Sequence, residues 1–169
     1  MLNKKKGFLF ILFTFLIVLA SSGQLPHTFT QYTSENGLSQ KTIRCILQDH
    51  KGLMWFATWN GLYKFDGYTF KNYKAHPGDN IELSNNRLDY IKEDRYGYIW
   101  MQTYDHQVYR FNPRTGQFQA IPYGKYSSQD IYVLSTGDIW ITTTQGELLH
   151  VSTHPETHEL TAEIGRAHV

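Results

Sequence analysis

The sequence has a single cysteine, Cys45, and therefore no disulfide framework. No cysteine stands directly after the apolar N-terminal run, so lipoprotein processing has no support. Neither sign of charge dominates: 16 Lys and Arg stand against 15 Asp and Glu, a net charge of +1 over 169 residues. That balance gives no electrostatic reason to expect nucleic acid or an anionic membrane as partner. The apolar run Gly7 to Ala20 is 14 residues long, short of the about 20 that a bilayer-crossing helix wants. No G-x-S-x-G, H-E-x-x-H or phosphate-binding loop occurs. No catalytic residue, metal or cofactor is expected from motifs.

The N-terminus is laid out as a secretory signal peptide over residues 1–24. Lys4, Lys5 and Lys6 precede the apolar run, and the small residues Ala20-Ser21-Ser22 follow it. With those three lysines removed, the net charge of the remainder falls from +1 to −2. The chain is expected to be exported.

What the remainder does contain is a repeated tryptophan cassette. Trp55, Trp100 and Trp140 each lie three residues after a glycine (Gly52, Gly97, Gly137) and three before a threonine (Thr58, Thr103, Thr143). A repeat every 40–45 residues, rich in aromatic and β-branched side chains, fits one four-stranded propeller blade. In the first unit, Ile43, Cys45 and Leu47 alternate as in a half-buried strand. Asp49 to Gly52, Asn60-Gly61 and Asp66-Gly67 are turn signals between strands.

The sequence thus predicts an all-β chain: an incomplete arc of about three four-stranded β-propeller blades behind a signal peptide. A lead-in over 25–37 carries Phe29-x-x-Tyr32, which echoes the outer-strand pattern Phe70-x-x-Tyr73. It is expected to be a ring-closing outer strand. The blades fall at 38–75, 83–122 and, in part, 128–152, with a loop over 153–162. Residues 163–169 match the translation of a common sequencing-library adapter at all seven codons. We expect that tail to be an artefact and the reading frame to continue beyond it.

Leu38-Ser39, Asp49 to Gly52, Trp55 to Thr58, Asn60-Gly61 and Phe65-Asp66 together resemble a two-component regulator propeller. The likeness covers residues 29 to about 151 and weakens in the third unit. It implies the periplasmic part of an inner-membrane hybrid sensor. Such a sensor would bind an oligosaccharide, form a homodimer and regulate a histidine kinase in its C-terminal signalling domains. The fragment itself carries no kinase motif; the resemblance makes the full-length protein a protein-histidine kinase. A secreted propeller enzyme (polysaccharide lyase or hydrolase) and a non-catalytic adhesion or interaction propeller are the alternatives.

Trp55, Trp100 and Trp140 read as structural, each filling the wedge toward a neighbouring blade. Asp49, Asp66 and Asp94 read as turn residues rather than a catalytic pair. His154-x-x-x-His158 has metal-ligand spacing only on a helix, and Pro155 argues for a loop. The ligand-binding candidates are Asn36 and Gln40, then Asn85, Asn86 and Arg87, all in loops leading into inner strands. Trp59 and Tyr104 join them, at equivalent places after the strand-ending threonines. Amides and cations can read sugar hydroxyls, and aromatic faces can stack on sugar rings. The competing explanation is that the asparagines shape turns and the two rings cover blade edges.

Overall fold

The computed structural model describes residues 29–75, 83–121 and 126–166. The expected signal peptide lies outside the described residues, as does the end of the expected adapter tail. The chain divides into two units, Met1–Gln31 and Tyr32–Val169. Residues 29–31, the described part of the first, form neither helix nor strand.

The second unit holds three four-stranded antiparallel sheets, each strand paired with the next in sequence. The first sheet comprises β1 (Ile43–Gln48), β2 (Met54–Thr58), β3 (Gly61–Phe65) and β4 (Phe70–Tyr73). The second comprises β5 (Leu88–Glu93), β6 (Ile99–Thr103), β7 (Val108–Asn112) and β8 (Gln117–Ala120). The third comprises β9 (Ser128–Val133), β10 (Ile139–Thr143), β11 (Glu147–Thr153) and β12 (Leu160–Arg166). Short turns explain these meanders, because loops of only two to six residues return the chain antiparallel to itself.

The sheets pack face to face through two apolar clusters. One joins Trp55, Ala57 and Leu62 of the first sheet to Leu88, Ile91, Ile99 and Phe111 of the second. The other joins Trp100 and Val108 of the second sheet to Ile131, Ile139 and Leu149 of the third. Trp55 and Trp100 therefore each face the sheet that follows their own. Trp55 and Trp100 are fully buried; at 150–250 Å² per ring, each burial is worth roughly 4–6 kcal/mol as an upper bound. Trp140 departs from the expected equivalence. It is only half-buried and stacks on His150, centroids 4.5 Å apart.

The end of the third blade needs correction. The third sheet is complete: β12 pairs with β11 from Glu147↔Arg166 to Thr153↔Leu160. The expected loop over 153–162 shrinks to a turn across residues 154–159. No glycine marks that turn, because the left-handed position is filled by His158, at φ 58°. The pairing does not bear on the adapter reading, since backbone ladders accept almost any sequence without proline.

Residues 29–32 join none of these three sheets, each of which draws all four strands from its own unit. The outer strand expected at Phe29-x-x-Tyr32 belongs to a last blade, which is not among the three sheets. Here the chain makes a 3₁₀ turn, Ser34–Asn36, and the Tyr32 ring meets Phe65 and Phe70 edge-on at 4.9 and 5.5 Å.

Candidate ligand site at the loop ends of the first two blades

The loop before β5 and the loop after β2 converge because their backbones are tied. Gly61 N–H donates to the Asn86 carbonyl at 2.7 Å. Gly61 has φ 98°, and a Cβ there would stand 2.5 Å from the Tyr73 carbonyl oxygen. Only glycine allows this approach. Asn86 closes the clasp: its side chain accepts from Ala75 N–H at 2.8 Å and donates to the Ala75 carbonyl at 2.9 Å. Asn85 turns the chain next, its side-chain oxygen accepting Arg87 N–H at 2.9 Å. The Arg87 carbonyl then accepts Tyr104 N–H at 2.9 Å.

These ties place Arg87 against Trp59 and Tyr104. The guanidinium lies 5.3 Å from the Trp59 ring centroid and 5.6 Å from that of Tyr104. Both rings are exposed, at 41% and 54%. An aromatic from each of two blades thus flanks one cation. Asp105, the residue after Tyr104, accepts the Ser84 hydroxyl at 2.8 Å.

The other candidates are spent locally. Asn36 caps the 3₁₀ turn, its oxygen accepting Thr33 N–H at 3.0 Å. Gln40 accepts Thr42 N–H at 3.2 Å. Asn86 uses both ends of its amide on Ala75, so it holds the loop rather than offering a free group.

The inner strands carry residues that the sequence pattern concealed. Register shifts fall between Ile43 and Cys45, and between Leu88 and Tyr90. Arg44 and Asp89 are therefore the bulged residues, and they meet across the two blades at 2.9 Å. Strict alternation cannot reveal a bulge, and no glycine or proline flags it. Burial pushes up the Tyr90 phenol on β5, with the nearby Cys45 adding to the effect. Cys45 itself is half-buried, its thiol donating to the Ile91 carbonyl at 3.5 Å.

The opposite loop ends hold structure together. Asp49 accepts from Lys51 N–H, Leu53 N–H and the Trp55 indole. Asp94 repeats this with Tyr96, Tyr98 and Trp100. Arg110, buried in β7, donates to Gln119 and to the His158 carbonyl at 2.7 and 2.8 Å and lies 4.3 Å over the Tyr98 ring. Burial lowers its pKa, partly offset by Tyr98 and Asp94. His154 accepts two backbone N–H groups of its own turn, while the His158 ring packs on Tyr96 and Tyr98. A cavity of about 170 Å³ at this end is lined by His50, Lys51, Lys64, Glu93, Tyr96 and Arg114. His50 there meets Glu93 at 2.5 Å. Among the described residues, no group of three His, Cys, Asp or Glu could hold a metal ion. No helix among them is long and apolar enough to cross a membrane.

Residues 37–60 match the family described as two component regulator propeller. The chain is similar to two-component regulator propellers. Histidine kinase P4 of Formosa agariphila is 40% identical over 74 residues, which are 44% of this chain and 5% of that protein. The extracellular domain of the hybrid two component system BT3049 from B. thetaiotaomicron matches with a TM-score of 0.60 and 25% identity. That match covers 78% of this chain and 19% of the other. The extracellular domain of BT4673 from the same organism, a one component system, matches with a TM-score of 0.59 at 25% identity, over 79% and 18%. The three sheets are thus blades of a β-propeller, and the chain spans a small part of each of these relatives.

Proposed function

We propose that this chain is the ligand-sensing propeller of a hybrid two-component receptor. It is exported to the periplasm and binds an oligosaccharide. It passes a conformational bias to a histidine kinase elsewhere in the same inner-membrane, homodimeric protein. The observation that carries the reading is the cluster of Trp59, Arg87 and Tyr104, built from two blades. A ligand seated there touches both, so its affinity depends on how the blades sit relative to each other. That is the differential affinity a sensor needs, because a ligand shifts an equilibrium only by binding one arrangement better. In the whole protein, the lead-in at 25–37 supplies the outer strand of the last blade and closes the ring. The similarity to a histidine kinase and to extracellular domains of bacterial regulators supports the same reading.

The test is calorimetric titration of the full-length protein with a panel of oligosaccharides, alongside autophosphorylation. Trp59→Ala and Tyr104→Ala should each weaken binding at least tenfold and shift the response to higher ligand. Unchanged affinity in both variants would remove this site from the reading. Turnover of the sugar would favour an enzyme instead.

A further inference from the structure

We propose that the ligand of the Trp59–Arg87–Tyr104 cluster carries an anionic group, a carboxylate or a sulfate ester on a sugar ring. The inference rests on the sensing role proposed above and narrows its ligand class. Arg87 is exposed and flanked by two aromatic rings, at 5.3 and 5.6 Å. Such contacts engage the guanidinium electrostatically and limit its motion without consuming its N–H groups. Among the described residues, no carboxylate pairs with it. The acids next to the cluster in sequence are engaged elsewhere: Asp105, which follows Tyr104, accepts the Ser84 hydroxyl, and Asp89, two residues after Arg87, is paired with Arg44.

A planar fork of unspent donors fits a carboxylate or sulfate in a two-pronged manner, and a neutral hydroxyl much less well. Much of the ordering cost of the long side chain is met before binding, because the rings already confine it. The exposed ring faces supply the apolar complement, since the C–H face of a sugar can lie on Trp59 or Tyr104 while its acidic group reaches Arg87. A site for neutral sugars would gain little from a cation held this way.

The test uses three small probes on the full-length protein: methyl glucuronide, glucose 6-sulfate and methyl glucoside. Binding is read by tryptophan fluorescence, with Trp59→Phe as the blank. At least one charged probe should bind at least tenfold more tightly than methyl glucoside, and Arg87→Gln should erase that preference. Preference for the glucuronide alone points to uronic acids; preference for the sulfate alone points to sulfated sugars. If all three probes bind alike, or the preference survives in Arg87→Gln, the acidic ligand is wrong. The sensing site would still stand if Tyr104→Ala abolished that binding. If no probe perturbs Trp59, the acidic ligand and the cluster as a site fall together.

Discussion

Asp94 holds the indole N–H of Trp100 at 2.8 Å, and Asp49 holds that of Trp55 at the same distance. Each aspartate sits six residues before its tryptophan and fixes the turn with its other oxygen. One carboxylate therefore couples turn geometry to the ring that fills the wedge between blades. Asp94→Ala would leave the indole and two backbone N–H groups without their acceptor at a buried position. It should cost about 2–3 kcal/mol, read as a lower urea midpoint by fluorescence. A midpoint within error of the parent would mean that water replaces the carboxylate.

The third blade lacks this device. Leu134 stands where Asp49 and Asp94 stand, and it is 42% exposed. Leu134→Asp should restore the bond to Trp140 and raise the stability of that blade by about 1 kcal/mol. Slower hydrogen exchange across residues 134–143 is the expected sign. Faster exchange there would show that the stacking of Trp140 on His150 holds the indole out of reach.

The sequence made the blades legible because the cassette repeats chemistry as well as spacing: Gly at the turn, Trp in the strand, Thr at its end. It also brought Trp59 and Tyr104 to notice, through their equivalent register. It concealed whatever depends on partners distant in sequence. That Arg87 lies between those two rings follows from the clasp of Asn86 on Ala75 and Gly61, which no local pattern announces. The Arg44–Asp89 pair depends on bulges that alternation cannot show. β12 was hidden because His158, rather than a glycine, makes its turn.

Stability at acid pH should depend on Asp138 and Asp66. The Thr136 hydroxyl and then His150 hold the Asp138 carboxyl below its usual range. Backbone N–H groups of Thr69 and Tyr68 do the same for Asp66. A depressed carboxylate contributes stability that is fully present above the ordinary value of about 3.9. That contribution is lost as pH falls through the folded-state value. Thermal midpoints should therefore drop as pH falls below about 4, and less steeply in Asp138→Asn. Parallel curves for variant and parent would contradict this assignment.

The Arg44–Asp89 contact should contribute little despite its geometry. Its side chains are 51% and 27% exposed, so water screens the attraction. A double-mutant cycle with Arg44→Ala and Asp89→Ala should give a coupling below about 1 kcal/mol. A larger value would mean that the bulges desolvate the pair more than its exposure implies.

Gly61 and Gly67 separate backbone strain from the positioning of the site. Both have φ near 98°, where any L side chain is strained. A Cβ on Gly67 meets nothing within 4 Å, so Gly67→Ala should cost only about 1–2 kcal/mol and leave ligand binding intact. A Cβ on Gly61 would stand 2.5 Å from the Tyr73 carbonyl oxygen and 2.7 Å from the Asn72 side-chain oxygen. The backbone must move there, and the neighbouring Gly61–Asn86 hydrogen bond anchors the loop that presents Arg87. Gly61→Ala should therefore lose more stability than Gly67→Ala and also weaken ligand binding severalfold. Equal stability losses, with binding unchanged in both, would show that the loop holds Arg87 without the clasp.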